Sequence, residues 1–255
     1  MIIIKTDKEI ELLRVAGKHL AEALKAVEKK VAPGISTHEL DMYAREVIKE
    51  LGDEPAFLDY QPEGARYPFP AALCTSLNDE VVHGMPKENV ILKEGDIISI
   101  DLGLIHKGVI TDHAMTVAVG KVDQKVKELL RATKESLDAG IKAIKPGAHV
   151  GDIGYAIESY IKPKGYGIVR ELAGHGVGRE IHEDPYIPNY GVKGTGALLK
   201  PGMVIAIEPM INLGSRGVIF EKDGYTVRTK DGSPSAHFEH TVLITEKGAE
   251  VLTKI

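Results

Sequence analysis

The 255-residue chain contains a single cysteine, Cys74. It therefore has no internal disulfide, and the expected setting is a reducing cytoplasm. No segment approaches the ~18 consecutive apolar residues of a membrane span. The leading Met-Ile-Ile-Ile is too short for the apolar core of a signal peptide. Excess positive charge is lacking as well. With 32 Lys and Arg against 37 Asp and Glu, the net charge of −5 gives no nucleic-acid footprint. Lys25, Lys29 and Lys30 form a local basic group that reads as a solvated helix face. Several catalytic signatures are missing too. There is no H-E-x-x-H and no G-x-S-x-G, and Gly17-Lys18 and Gly120-Lys121 lack the Ser or Thr of a phosphate-binding loop. A thiol at Cys74 is more commonly a pocket or core group than a nucleophile.

The composition that remains, 43% hydrophobic and 27% charged, is that of a globular protein able to bury a large core as one domain or two fused halves. Residues 7–31 have helical periodicity, with Ile10, Leu13, Ala16, Leu20, Leu24 and Val27 on one stripe and Thr6 or Asp7 as cap. Residues 37–51 predict a second helix ended by Gly52, and residues 53–70 read as a loop. Residues 123–144 and 150–161 predict two further helices, followed by a Gly- and Pro-rich loop over 186–201.

Asp101, Asp112, His175, Glu208 and Glu239 stand out because each interrupts an apolar or glycine-rich run: IISIDLG, GVITDHAMT, ELAGHGVG, VIAIEPM and SAHFEHTV. Buried carboxylates are costly unless paired or metal-bound, and four of them with one imidazole suit a cluster of divalent cations. Asp101 and Asp112 lie on two strand-like segments, with His106, Lys107 and Gly108 between them as turn residues. A tight loop around 105–108 makes paired residue numbers sum to about 213, which sets Asp101 directly opposite Asp112. Two like charges so placed call for a cation between them. Among the other histidines, His19, His38, His106 and His149 read as surface residues. His113 and His240 follow candidate ligands on strands, so alternation turns them to the opposite face and gives them structural roles.

The chain also repeats itself. ILKEGDIISIDLG (91–103) aligns with LLKPGMVIAIEPM (198–210), which places Asp101 and Glu208 in equivalent positions. VVHGMP (81–86) matches EIHEDP (180–185), making His83 and His182 equivalent, and ELLR occurs at 11–14 and 128–131. Each first helix runs to a Pro-Gly stop, Pro33-Gly34 and Pro146-Gly147. Two copies with a long period exclude a solenoid. They predict one α+β catalytic domain over 1–255, built from duplicated halves of about 1–120 and 121–255, with ligands from both meeting at a pseudo-two-fold axis.

The motifs CTSLNDEVVHGMP, GDIISIDLG, TDHAMT, GHGVGREIHEDP, PGMVIAIEPM and DGYTVRTKDGSPSAHFEHTV run in order from Cys74 to Val242. In this ordered set the chain resembles the type I methionine aminopeptidases, metallopeptidases of the pita-bread (creatinase/aminopeptidase-like) fold. The resemblance implies two pseudo-symmetric halves around a dinuclear metal site and removal of an N-terminal methionine when the second residue is small. It implies that Asp101 and Asp112 chelate one metal, that His175 and Glu208 hold the second, and that Asp112 and Glu239 are shared. The two divalent ions would be Co, Mn, Fe or Zn, holding a water between them, and Glu208 would carry its proton to the leaving amine. His83 and His182 match the substrate-contacting histidines, and Cys74, Phe69, Ile181 and Tyr225 fall where the family lines its methionine pocket. Two departures are visible. The stretch YQPEGARYPFP (60–70) is longer and richer in proline than the usual segment, and Tyr225 stands where a tryptophan is common. The implied partners are N-terminal Met peptides and nascent chains, with transient ribosome contact, no specific nucleic acid and no membrane, and the implied state is a monomer.

Three rivals share parts of this pattern. An Xaa-Pro aminopeptidase or prolidase of the same fold would usually carry a large extra N-terminal domain and an Arg two residues before the last Glu, where this chain has His237. A type II methionine aminopeptidase would carry a long insertion between His182 and Glu208, which are here only 26 residues apart. A non-catalytic binding protein on the fold would be expected to have lost ligands, and all five are present.

Overall fold

The computed structural model describes residues 2–254. Helix α1 (Asp7–Lys30) begins at Thr6, whose hydroxyl accepts from Glu9 N at 3.3 Å while Glu9 Oε2 accepts from Thr6 N at 2.7 Å. Helix α2 (Thr37–Glu50) uses the same reciprocal cap through Ser36 and Glu39, at 3.1 and 2.7 Å. Gly52, at φ +78°, turns the chain out of α2. Strands β1 (Glu54–Pro55), β2 (Leu73–Leu77), β3 (Glu80–Val82), β4 (Ile97–His106) and β5 (Val109–Ala118) follow. The chain repeats the theme with α3 (Gln124–Lys142) and α4 (Val150–Ile161). It then runs through β6 (Gly167–Ile168), β7 (Gly174–Gly176), β8 (Glu183–Ile187), β9 (Val204–Ile207) and β10 (Met210–Asn212). The last strands are β11 (Val218–Phe220), β12 (Val227–Thr229), β13 (Ser235–His237), β14 (His240–Thr245) and β15 (Gly248–Val251). No helix among the described residues is long and apolar enough to cross a membrane.

Period-two alternation in β4 decides which face meets the helices. Ile98, Ile100, Leu102 and Leu104 pack with Leu13, Leu20 and Leu24 of α1 and Leu40 of α2 in the largest core. Ser99, Asp101 and Gly103 are therefore left on the opposite face. The second half follows the same logic. Ile205 and Ile207 of β9 pack with Ile153 and Ile157 of α4 and Val242 of β14, so Glu208, one residue beyond Ile207, turns the other way. The N-cap Ser36 bridges to Ile91 and the N-cap His149 to Leu198, and these partners occupy equivalent places in the repeated frame. Leu92 N donates to Ile35 O and Leu199 N to Ala148 O, each at 2.9 Å.

The β4–β5 register differs from the sequence expectation. Paired numbers sum to 215, not 213: His106 pairs with Val109, Gly103 with Asp112, and Asp101 with Ala114. Only Lys107 and Gly108 form the turn, at φ +48° and +84°. This is the two-residue hairpin turn that needs positive φ at both positions and suits the right-handed twist. His106 thus belongs to β4, and Asp101 and Asp112 are diagonal neighbours on one face, with Gly103 opposite Asp112.

The two larger sheets meet along β5. Asp112 N donates to Thr241 Oγ1 at 2.9 Å, Glu239 N to Ala114 O at 2.9 Å, and His237 N to Thr116 Oγ1 at 2.8 Å. Thr241 Oγ1 and Thr116 Oγ1 donate in turn to Asp112 O and His237 O, at 2.7 and 2.9 Å. Residues 112, 114 and 116 of β5 are thus each stitched to the β13–β14 segment, with two threonine hydroxyls standing in for backbone partners. All six of these residues are buried, so an unmade bond here would be costly.

Candidate metal centre

The seam concentrates charge. Asp101 and Asp112 come from the β4–β5 hairpin and His175 from β7, which pairs with β9 at Ala206. Glu208 follows β9, and Glu239 precedes β14 at the end of the β9–β14 ladder, where His240 pairs with Ile207. Asp101, Asp112, His175 and Glu239 are buried. His175 Nε2 lies 3.6 Å from Glu208 Oε1 and 3.9 Å from Asp112 Oδ2. One donor atom each from Asp112, His175 and Glu239 falls within 4.8 Å of the others. No lysine or arginine pairs with these carboxylates among the described residues, and Asp101 Oδ1, Asp112 Oδ1 and Glu239 Oε1 are buried without a hydrogen-bond partner. Three orphaned, inward-facing carboxylate oxygens are costly in any other arrangement and fit divalent-cation ligation.

Electrostatics agree. Burial first, and then mutual repulsion, hold Asp101 and Glu239 well above the ordinary carboxylate range. Burial pushes Asp112 and Glu208 up to about 8. Burial lowers His175 to about 3, so its imidazole is neutral, and Nδ1 lies 2.9 Å from Gly176 O. A proton on Nδ1 leaves the Nε2 lone pair facing the acids, which is the form a metal needs.

These groups form the floor of a cavity of about 410 Å³. All of the expected residues line it: Asp101, Asp112, His175, Glu208 and Glu239, then His83 and His182, then Phe69, Cys74, Ile181 and Tyr225. Cys74 pairs with Asp101 across β2–β4, so the thiol and the carboxylate share a face. Burial, with the nearby acids, drives that thiol well above its usual range, so it stays protonated and is no nucleophile. Phe69, Cys74 and Ile181 belong to one apolar cluster, with Tyr60, Met85 and Tyr225 against it. Phe69 and Tyr225 meet edge to face with centroids 5.1 Å apart. His83 sits at φ +59°, a strained conformation for a non-glycine residue and one that often marks a functional position. Burial lowers it to about 4, and burial lowers His182 too, so both are neutral donors at physiological pH.

Sequence reasoning missed two neighbours. Tyr60 places its hydroxyl 3.0 Å from His182 Nδ1; a tyrosine in an irregular stretch carries no periodic signal. His237 is buried, with Nε2 3.2 Å from Glu208 Oε2. It stands two residues before Glu239 on an extended segment, and that spacing was the available clue to a shared face. His113 and His240 stack at 4.6 Å on the far side, with His113 Nδ1 bonded to Glu239 O, as structural residues are expected to do.

The profile of metallopeptidase family M24 matches residues 11–246. The chain belongs to metallopeptidase family M24. A methionine aminopeptidase of Aquifex aeolicus is 47% identical over 253 residues, covering 98% of each chain. The crystal structure of methionine aminopeptidase from Thermotoga maritima superposes with a TM-score of 0.96 at 47% identity, covering 100% of both chains. The prolidase from Pyrococcus furiosus gives a TM-score of 0.75 at 30% identity, and the match covers only 66% of that longer chain. The M24 pita-bread fold is thus shared with prolidases, while full-length likeness runs to the methionine aminopeptidases.

Proposed function

We propose that this M24 member is a metal-dependent methionine aminopeptidase that removes the N-terminal methionine when the second residue is small. The observation that carries the reading is the junction of two surfaces in one cavity: the five-residue acid–imidazole floor and the apolar Phe69–Cys74–Ile181–Tyr225 wall. The proposed arrangement is a single catalytic domain of duplicated halves, about 1–120 and 121–255, acting as a cytoplasmic monomer with transient ribosome contact.

In this reading Asp101, Asp112, Glu239, His175 and Glu208 hold two divalent ions, of Co, Mn, Fe or Zn character. When bound, such ions supply Lewis-acid polarisation and a water of lowered pKa. The chain's own groups do the rest. The carboxylate floor anchors the substrate's free α-amine. The apolar wall takes the unbranched thioether, with sulfur against the edges of Phe69 and Tyr225 contributing roughly 0.3–1.5 kcal/mol. Neutral His182 and His83 donate hydrogen bonds to the scissile carbonyl as negative charge develops on its oxygen. Glu208 accepts a proton from the attacking water and returns it to the leaving amine. The Tyr60 hydroxyl beside His182 Nδ1 fixes the ring's orientation.

Cleavage of Met-Ala, Met-Gly, Met-Lys, Ala-Pro and formyl-Met-Ala peptides under one metal condition tests the assignment. Met-Ala and Met-Gly are expected to be cut well and Met-Lys poorly, because a long second side chain meets the histidines. Formyl-Met-Ala is expected to resist, because its terminal nitrogen is an amide and no free amine remains to be anchored. Efficient cleavage of Ala-Pro without cleavage of Met-Ala would overturn the reading in favour of an Xaa-Pro peptidase.

His182→Ala separates substrate contact from metal binding. Loss of one donor to a developing oxyanion typically costs ~10²–10³ in rate. Turnover is expected to fall by that order while metal content, measured by elemental analysis, stays at the wild-type level. A lost metal equivalent would show that His182 is a ligand instead.

A further inference from the structure

A second group of metal-type donors lies outside the cavity. His19 on α1, Asp53 in the link after α2 and His106 at the end of β4 converge, with one donor atom of each within 4.8 Å of the other two. His19 Nδ1 is 2.7 Å from Asp53 Oδ2, and His106 Nδ1 is 2.6 Å from Asp53 Oδ1. None of the three lines the acid-floored cavity. His106 lies five positions along β4 from Asp101, so at ~3.3 Å per residue their Cα atoms stand roughly 17 Å apart. The expectation that His19 and His106 are surface residues fails here. The His106 side chain is 10% exposed and that of His19 24%, because both turn in toward the carboxylate.

The charge balance is the informative point. The Asp53 side chain is 1% exposed, and among the described residues no lysine or arginine pairs with it. Its two oxygens are held by His19 and His106 Nδ1, and a carboxylate this deeply buried favours a full countercharge close by. A divalent ion held among the three donors would supply one. The imidazole rings stand at 85° to one another with centroids 5.3 Å apart, so their Nδ1 atoms approach one carboxylate from nearly perpendicular planes. Two imidazole nitrogens and a carboxylate form a donor set for ions of the zinc class, with water completing the shell from the more exposed His19 side.

We propose that His19, Asp53 and His106 form a divalent-cation site, separate from the catalytic floor, that ties α1 to the β4–β5 hairpin. On binding, each imidazole coordinates through Nδ1 as the Nε2–H tautomer, and any proton in excess of that one leaves to solvent. Tetrahedral ligation at ~2.0–2.1 Å sets neighbouring donors about 3.3 Å apart, which asks the side chains to open by roughly half an ångström.

Metal-free full-length protein dialysed against Zn²⁺, washed and counted by elemental analysis tests the site. The comparison is between wild type, His19→Ala, His106→Asn and Asp53→Asn. Wild type is expected to hold one equivalent more than each variant, whatever number the catalytic floor retains, and peptide cleavage is expected to be unchanged in His19→Ala. Crystals soaked in Zn²⁺ should show anomalous density between the two Nδ1 atoms, a readout that does not depend on any variant folding. Equal metal counts in wild type and His19→Ala, with no anomalous density at that position, would overturn the proposal and leave the trio as a hydrogen-bonded pin.

Discussion

Glu208→Gln is expected to abolish turnover while the chain remains folded. Glutamine keeps the shape and the backbone bond in which Asn189 Nδ2 donates to Glu208 O at 2.9 Å. It loses both the negative charge and the capacity to take and return a proton. Removing a positioned acid–base group alone costs typically ~10²–10⁴ in rate. In the proposed ligand set the same substitution withdraws a charged group 3.6 Å from His175 Nε2, so metal occupancy should weaken as well. The check is kcat on Met-Ala peptide together with metal content and circular dichroism. Wild-type turnover in the variant would remove Glu208 from the chemistry. Lost turnover in unfolded protein would leave the double role to be tested with Glu208→Asp, which keeps the charge but shortens the reach.

Metal removal carries the second large effect, and its size depends on pH. In the metal-free protein burial raises Asp112 and Glu208 to about 8, far above their values in an unfolded chain, ~3.9 and ~4.3. Between those limits the folded state holds protons that the unfolded state has released. Stability of the metal-free form must therefore fall as pH rises from about 4 to 8, and the loss is complete above that window. Bound cations remove the penalty because they hold the carboxylates ionised, whereas protons compete with them at low pH. The gap in Tm between loaded and chelator-treated protein should widen from about pH 5 to about pH 8. Roughly 2–4 °C is expected for each kcal/mol in a chain of this size. Calorimetry at the two pH values, on loaded and stripped protein, measures it. Chelation should also abolish peptide cleavage, with recovery on metal titration. A pH-independent gap, or full activity in stripped protein, would sink the metal assignment.

Much of this was legible in the sequence because the signals were local. The cap at Thr6, the apolar stripe of α1 and the strand pattern of β4 all depend on neighbours within a few residues. The five acid and imidazole positions showed through because each breaks an apolar run. Pairing register was less accessible. It turned on whether the hairpin loop used two residues or four, and Lys107 at positive φ gives no compositional warning beside the glycine that follows. His19 and His106 were misread for a different reason. Their partner, Asp53, lies far from both in sequence, so each looked like a lone polar residue at an element's edge. Tyr60 is invisible in the same way. His237 was recoverable, since its spacing from Glu239 fixes a shared face.

The threonine-stitched seam has one further consequence. Asp101 and Glu239 are 138 residues apart, and neither half of the chain alone carries the whole of the proposed ligand set. Metal capture is therefore a reporter of long-range assembly. A chain whose hairpin and helices have formed, but whose β13–β14 segment has not docked on β5, should look largely structured by circular dichroism and still retain no ion. Thr241→Val, which removes both bonds to Asp112, ought to uncouple the two signals in time, with secondary structure recovering before metal uptake during refolding.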